Sequence, residues 1–116
     1  MGVDFDGCLA TDYKGRTEMP DGYYVLGAPV PPMIERVKLW LSKGIDVRIF
    51  TSRVAPSDDG RDVEKVRSLI QDWCELYVGE RLKVTCIKEH GLIQLWDDRA
   101  VSVQFNTGEP WLPVES

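Results

Sequence analysis

The chain has 116 residues, 43% of them hydrophobic and 28% charged, which is enough for one hydrophobic core and leaves no room for a second domain. No run approaches the roughly 20 apolar residues of a membrane span, no export signal is expected, and the three widely spaced cysteines fit neither a disulfide framework nor a thiolate metal site. We therefore expect one cytoplasmic domain over residues 1–116, and the net charge of −5 disfavours a dedicated nucleic-acid binder while leaving room for a local basic rim.

Five short runs of β-forming residues punctuate the chain, and most of them are almost continuously apolar. Such runs are typical of strands that are buried on both faces, so they favour a mainly parallel sheet over a sheet with one wet face. The predicted strands are Met1 to Phe5, Asp46 to Phe50, Val84 to Ile87, Leu92 to Trp96 and Val101 to Phe105.

Two helices are predicted between these strands. The first begins at Pro31, because proline suits a first helical turn, and ends at Lys43 with Gly44 as its cap. The second runs from about Arg61 to Val78 and ends before Gly79. Apolar residues recur at helical spacing in both and predict one buried stripe on each helix: Ile34, Val37, Trp40 and Leu41 on the first, and Val63, Val66, Ile70, Trp73 and Tyr77 on the second.

This order of elements predicts an α/β domain with an open, doubly wound, Rossmann-like sheet of five mainly parallel strands. The connection Lys88 to Gly91 is too short for a crossover helix. An extended loop of about six residues still reaches about 20 Å, enough to pass over two neighbouring strands. The irregular stretch Ala10 to Pro31 is rich in Gly, Pro and Asp and is predicted to form a flap beside the site.

Paired carboxylates follow two of the predicted strands. Asp4-Phe5-Asp6-Gly7 ends the first strand, and Asp97-Asp98 ends the fourth. Two carboxylates this close resist joint ionisation, so a compensating cation is expected, and a divalent metal is the simplest one. The pattern therefore indicates a magnesium-dependent site for phosphoryl transfer.

Other polar residues follow the remaining strands of the predicted sheet. Thr51-Ser52-Arg53 comes after the second strand and Lys88 after the third. In an open parallel sheet ligands bind beyond the carboxyl ends of the strands, so these groups converge if the first strand is central.

With these motifs in this order, the chain resembles the haloacid dehalogenase (HAD) superfamily, and in particular its small, capless phosphatase-like members found in phage and bacteria. The resemblance covers nearly the whole chain and implies a HAD-like fold without a cap domain. It also implies that Asp4 attacks phosphorus to form an aspartyl-phosphate, while Asp6 protonates the leaving group and later activates water. A carboxylate nucleophile divides one difficult displacement into two easier ones.

The same resemblance implies a Mg²⁺ site made by the side chain of Asp4, the backbone carbonyl of Asp6 and the side chain of Asp97, with Asp98 as a supporting or alternate ligand. It further implies that Thr51, with Ser52 beside it, binds the phosphoryl oxygens, and that Lys88 neutralises the charge of the transition state. Cys8 stands where many relatives have threonine, and we interpret it as a small residue that fills the loop.

Several of these residues have simpler interpretations. Thr51 and Ser52 also suit a cap on the segment after the strand. Lys83 is a rival of Lys88 for the phosphate. For Arg53 and Arg99 we favour ordinary ion pairs, with Asp58, Asp59 or Glu89 as partners, over contacts with a distal phosphate. His90, the single histidine, is interpreted as a turn residue.

We predict a magnesium-dependent phosphomonoesterase that acts through an aspartyl-phosphate on a phosphorylated substrate of unknown identity. One alternative is a nucleotide or polynucleotide 3′-phosphatase, which the phage resemblance favours and the net charge disfavours. The other is a non-catalytic module that binds phosphate or a protein partner on the same scaffold. No membrane partner is expected, and the sequence leaves the oligomeric state open.

Overall fold

A computed structural model describes residues 1–12, 16 and 21–111 of the chain. In chain order it contains strand β1, helix α1, strand β2, helix α2, and strands β3 and β4. Their bounds are Gly2–Asp4, Pro31–Ser42, Arg48–Phe50, Val63–Tyr77, Lys83–Thr85 and Leu95–Trp96. Two short 3-10 turns, Gly22–Tyr24 and Ser52–Val54, precede α1 and follow β2 respectively. The predicted α/β class is therefore confirmed.

The four strands form one parallel sheet in the order β3-β2-β1-β4. Strand β1 lies between β2 and β4, which is the central position that the convergence of the polar residues requires. Its middle residue, Val3, pairs with Ile49 of β2 on one side and with Trp96 of β4 on the other. The carboxyl end of β1 is thus flanked by the ends of two other strands.

The helices pack on one face of this sheet. Val3, Ile49 and Val84, which share one row of the register, are buried in a single core with the apolar stripes of both helices. Right-handed connections between parallel strands that advance in one direction place their helices on the same face. The buried helix residues are Met33, Ile34, Val37, Val66, Ile70, Trp73 and Cys74.

Local signals explain where the helices begin and end. Helix α1 begins at Pro31 and ends at Ser42, with Lys43 as its C-cap and Gly44 at a φ of +76°. Helix α2 begins after Asp62, whose carboxylate accepts a hydrogen bond of 3.1 Å from the backbone N–H of Lys65. Both predicted helices are therefore confirmed to within two residues at each end.

Residues 86–94 return the chain from β3 to β4 at the opposite edge of the sheet, across β2 and β1. They contain no helix, as the short connection predicts. They pass over the face opposite the helices, where a cavity of about 300 Å³ is lined by both the sheet and the crossover. An ion pair of 2.5 Å between Arg48 on the sheet and Glu89 on the crossover holds the two together.

The predicted fifth strand is wrong. Residues 101–105 form no strand, and Val103 makes only an isolated antiparallel bridge with Pro110. Val101, Val103 and Phe105 alternate with polar residues, a pattern that needs one covered face, yet all three are exposed within the described residues. The alternating pattern is therefore present without a neighbouring surface to bury it.

The predicted flap is fastened to the body at its described residues, which exclude 13–15 and 17–20. The hydroxyl of Tyr24 accepts a hydrogen bond of 2.9 Å from the backbone N–H of Asp62 at the start of α2. The indole N–H of Trp73 donates one of 2.9 Å to the carbonyl of Gly27. These contacts tie the segment to α2 rather than leaving it as a free arm.

Candidate active site

The candidate site is a cleft of about 590 Å³ beyond the carboxyl ends of the parallel strands. It lies where the strand order reverses around β1, which is the position at which open α/β sheets bind ligands. Its lining combines acidic, basic and hydroxyl side chains. The lining residues are Asp4, Asp6, Gly7, Asp12, Arg16, Phe50, Thr51, Ser52, Ala55, Cys86, Asp97, Asp98 and Arg99.

Three carboxylates from the two neighbouring strands meet in this cleft. Asp4, Asp97 and Asp98 each place one carboxylate oxygen within 4.8 Å of the others. Asp4 ends β1, and the other two directly follow β4, so the pairing of these two strands brings them together. Hard oxygen ligands in this number, with space for water beside them, are suited to Mg²⁺.

The turn after β1 allows Asp98 to approach so closely. Gly7 has a φ of +81°, and a Cβ atom at this position would lie 2.8 Å from Oδ2 of Asp98. Any side chain here would both strain the backbone and displace the carboxylate. Glycine is thus required by conformation and by space.

A second local turn orients the acids that follow β4. Oδ1 of Asp97 accepts a hydrogen bond of 2.8 Å from the backbone N–H of Arg99. Aspartate often bonds to the backbone two residues ahead of it in such turns. The bond fixes one oxygen of Asp97 and leaves the other oxygen for a ligand.

Burial and acidic neighbours together raise the pKa of Asp4 from 3.8 to about 8. Burial is the largest cause, followed by the hydrogen bond with Asp98 and by the negative charges of Asp97, Asp98 and Asp6. Each of these favours the neutral acid over the carboxylate. Without a cation, Asp4 is therefore held largely protonated near neutral pH.

Asp6 lines the same cleft but lies outside this acidic cluster. Its Oδ2 and Oδ1 accept hydrogen bonds of 2.8 and 2.6 Å from Nε and Nη2 of Arg53. Nη2 of Arg16 lies 3.5 Å from Oδ2. The two aspartates of the motif thus have opposite neighbours, since one faces acids and the other faces arginines.

Sequence reasoning missed this role of Arg53. Its predicted partners were Asp58, Asp59 or Glu89, whereas its guanidinium pairs with Asp6 and is only 2% exposed. The sequence did contain a signal for the pairing with Asp6, because Arg53 follows the end of β2, and β2 is the parallel neighbour of β1. Arg16 had no comparable signal, since it lies in the irregular segment before α1.

Thr51 and Ser52 line the cleft at the end of β2, as predicted. Thr51 is buried, and its Oγ1 accepts a hydrogen bond of 3.1 Å from the backbone N–H of Arg53. This bond is the capping contact that the sequence also suggested. Because the hydroxyl accepts from the backbone, its own proton is left for a partner in the cleft.

The structure does not bring Lys88 to the cleft. Lys88 is exposed on the crossover and is absent from the cleft lining, while Lys83, its rival, lies 3.5 Å from Glu89. The connection was long enough to cross the sheet, but its length could not predict which side chains would face the site. Of the cations discussed, Arg16 and Arg99 line the cleft instead.

The thiol near the site is not activated. Burial and the charges of Asp4, Asp98 and Asp97 raise the pKa of Cys8 to about 11. Its Sγ donates a hydrogen bond of 3.5 Å to the carbonyl of Trp96. Cys8 therefore packs the loop against β4, as the sequence interpretation held.

Two further observations bear on the kind of protein this is. Within the described residues, neither helix combines the length and apolar character needed to cross a bilayer. Comparisons with known protein families, with curated proteins and with solved structures find no match for this chain.

Proposed function

We propose that this protein is a magnesium-dependent phosphohydrolase that forms an aspartyl-phosphate on Asp4. The observation that supports the proposal most strongly is the meeting of Asp4, Asp97 and Asp98 in one cleft beside Thr51. Residues from both ends of the chain form this cluster, at the edge of the sheet where ligands bind. The resemblance of the motifs to the HAD superfamily supports the same chemistry.

The donor set fits the proposed ion. Asp4, Asp97 and Asp98 would hold Mg²⁺, together with the backbone carbonyl of Asp6, and all of these ligands are oxygen atoms. When bound, the ion would offset the mutual repulsion of the carboxylates and attract a phosphate group. An uncompensated cluster keeps Asp4 protonated, and a protonated acid is a poor nucleophile.

In the proposed reaction an ionised oxygen of Asp4 forms a bond to phosphorus while the bond from phosphorus to the leaving oxygen breaks. Asp6 gives a proton to that oxygen, so the product leaves as an alcohol. Water then attacks the phosphorus of the aspartyl-phosphate, and Asp6 takes up the proton that the water releases. Asp4 is regenerated and inorganic phosphate is freed.

The phosphoryl group itself would contact side chains from two other elements. Thr51 and Ser52 would donate hydrogen bonds to its oxygens from the end of β2. Arg99 is better placed than Lys88 to neutralise the developing charge, because it lines the cleft in this structure. We therefore transfer the role expected of Lys88 to Arg99.

Hydrolysis of a generic aryl phosphate tests the proposal. We expect turnover in Mg²⁺, none in EDTA, and a loss of at least about 10³-fold in Asp4→Asn, because the nucleophile is removed. Asp72→Asn is a matched control, since Asp72 is exposed and pairs with Arg81 on the far side of α2. Undiminished turnover in Asp4→Asn would refute the proposed nucleophile.

A different outcome would identify the rival function. Isothermal titration with Mg²⁺ and with inorganic phosphate would show whether the cleft binds both ligands. Binding of both without hydrolysis of any aryl phosphate would indicate a non-catalytic phosphate-binding module. Binding of neither would contradict the assignment of the site.

A further inference from the structure

The strongest unassigned feature is the buried guanidinium of Arg53, which connects the cleft to the segment before α1. Its side chain is 2% exposed and lies 5.9 Å from the centre of the Phe5 ring. It does not line the cleft, so it is not placed to contact substrate. Arg53 can therefore influence the proposed reaction only through the residues that it contacts.

One side of the guanidinium binds the carboxylate of Asp6. Nε and Nη2 donate to the two carboxylate oxygens in a bidentate pair. Such a fork fixes the carboxylate in both position and plane, which a single charge on a flexible chain does not do. Each oxygen of Asp6 still has a lone pair for a proton.

The other side of the guanidinium binds backbone. Nη1 donates to three carbonyls of the segment before α1, those of Gly22, Tyr23 and Val25, at 3.2, 3.0 and 2.8 Å. The placement of Asp6 is thus joined to the docking of this segment. Thr51 belongs to the same unit, because its Oγ1 accepts from the backbone N–H of Arg53.

We propose that Arg53 is a positioning residue that holds Asp6 in the orientation needed to protonate the leaving group. It does so only while residues 22–25 are docked, since these supply the remaining partners of the guanidinium. The inference rests on the proposed phosphohydrolase function and adds the residue that makes Asp6 effective. A residue that acts through an acid should matter most for substrates that need the acid.

The test compares leaving groups in Arg53→Lys, which retains the charge but loses the fork. We expect the single-turnover rate of phosphoryl transfer to Asp4 to fall about 10- to 100-fold for an alkyl phosphate, whose leaving oxygen needs a proton, and to change little for p-nitrophenyl phosphate. The substrate concentration that gives half of the maximal single-turnover rate should be nearly unchanged for both substrates. The double variant Arg53→Lys with Asp6→Asn should be no slower than Asp6→Asn alone.

Arg61→Lys is the matched control. Arg61 donates to the carbonyls of Ser52 and Arg53 and lies 4.4 Å from the ring of Tyr23, but among the described residues it neither pairs with Asp6 nor lines the cleft. Arg61→Lys should lower the thermal stability without changing how the phosphorylation rate depends on the leaving group. This separates damage to the segment from misplacement of the acid.

Two results would overturn the inference. One is an equal loss of the phosphorylation rate for both leaving groups in Arg53→Lys, and the other is a loss of that rate that multiplies with the loss in Asp6→Asn. A wild-type protein with no activity on either substrate would refute the proposed function first, and the positioning role would fall with it.

Discussion

Asp4 and Asp6 are two residues apart, yet the fold gives them opposite electrostatic surroundings. Burial, together with Asp97 and Asp98, raises the pKa of Asp4 to about 8, whereas Asp6 is paired with the guanidinium of Arg53. Two carboxylates with different neighbours are suited to different tasks in one reaction. The fold therefore gives the two carboxylates different environments, and Asp4 needs a compensating cation before it can serve as the proposed nucleophile.

Replacing Gly7 with alanine should weaken Mg²⁺ binding about 10- to 100-fold, because the new Cβ would lie 2.8 Å from Oδ2 of Asp98 and displace it. The positive φ should also lower the free energy of unfolding by about 1 kcal/mol. Isothermal titration and chemical denaturation measure the two effects.

Gly44→Ala is the control for the backbone effect. Gly44 has a similar φ of +76°, and a Cβ there would meet nothing within 4 Å. We expect a similar loss of stability with unchanged Mg²⁺ affinity. Equal affinity in Gly7→Ala and the wild type would show that Asp98 is not a ligand whose position matters.

The pKa of Asp4 predicts how the stability of the metal-free protein depends on pH. Because the folded-state pKa is raised to about 8 from 3.8, the folded state binds more protons than the unfolded state between these values. The stability contributed by the neutral acid is complete below about pH 4 and is lost as the pH rises through 8. Thermal melts in EDTA between pH 5 and pH 8.5 should show this decline.

Two comparisons isolate Asp4 in those melts. Asp4→Asn should decline less with pH than the wild type, since the amide does not titrate. In saturating Mg²⁺ the thermal stability should instead increase with pH, because the ion binds the ionised carboxylates and its binding becomes stronger as the pH rises. Parallel pH profiles for the wild type and Asp4→Asn in EDTA would contradict the prediction.

At the level of elements, the loop after β4 and the crossover each carry one candidate for the cationic side chain of the site, Arg99 and Lys88 respectively. Arg99→Ala should lower kcat about 10- to 100-fold, because Arg99 lines the cleft, while Lys88→Ala on the exposed crossover should change it less than about twofold. Steady-state kinetics with p-nitrophenyl phosphate measure both. The opposite order would mean that residues 86–94 move when substrate binds.

The sequence predicted elements better than it predicted side-chain partners. Continuous apolar runs and helix end signals located four strands and two helices, because both depend on local residue order. The run from Val101 to Phe105 failed, since its alternation says nothing about whether a surface exists to cover it. Arg53 and Lys88 were misplaced because their partners depend on which residues the assembled edge of the sheet brings together.

At the scale of the whole molecule, the two faces of the sheet are covered very differently. Two helices cover one face, and the crossover 86–94 covers part of the other. The cleft opens beyond the strand ends, and no inserted domain covers it within the described residues. A site this accessible would admit the proposed phosphate group on a large substrate as well as on a small one.

The neighbour relation of β1 and β4 has a consequence for biosynthesis. Asp4 leaves the ribosome before Asp97 and Asp98, which emerge only after both helices have been made. A nascent chain that stops before β4 can bury much of its core but has only Asp4 of the three clustered carboxylates that would hold the proposed ion. Binding of the proposed ion would thus require the completed sheet, and an unfinished polypeptide would lack the full set of carboxylate ligands.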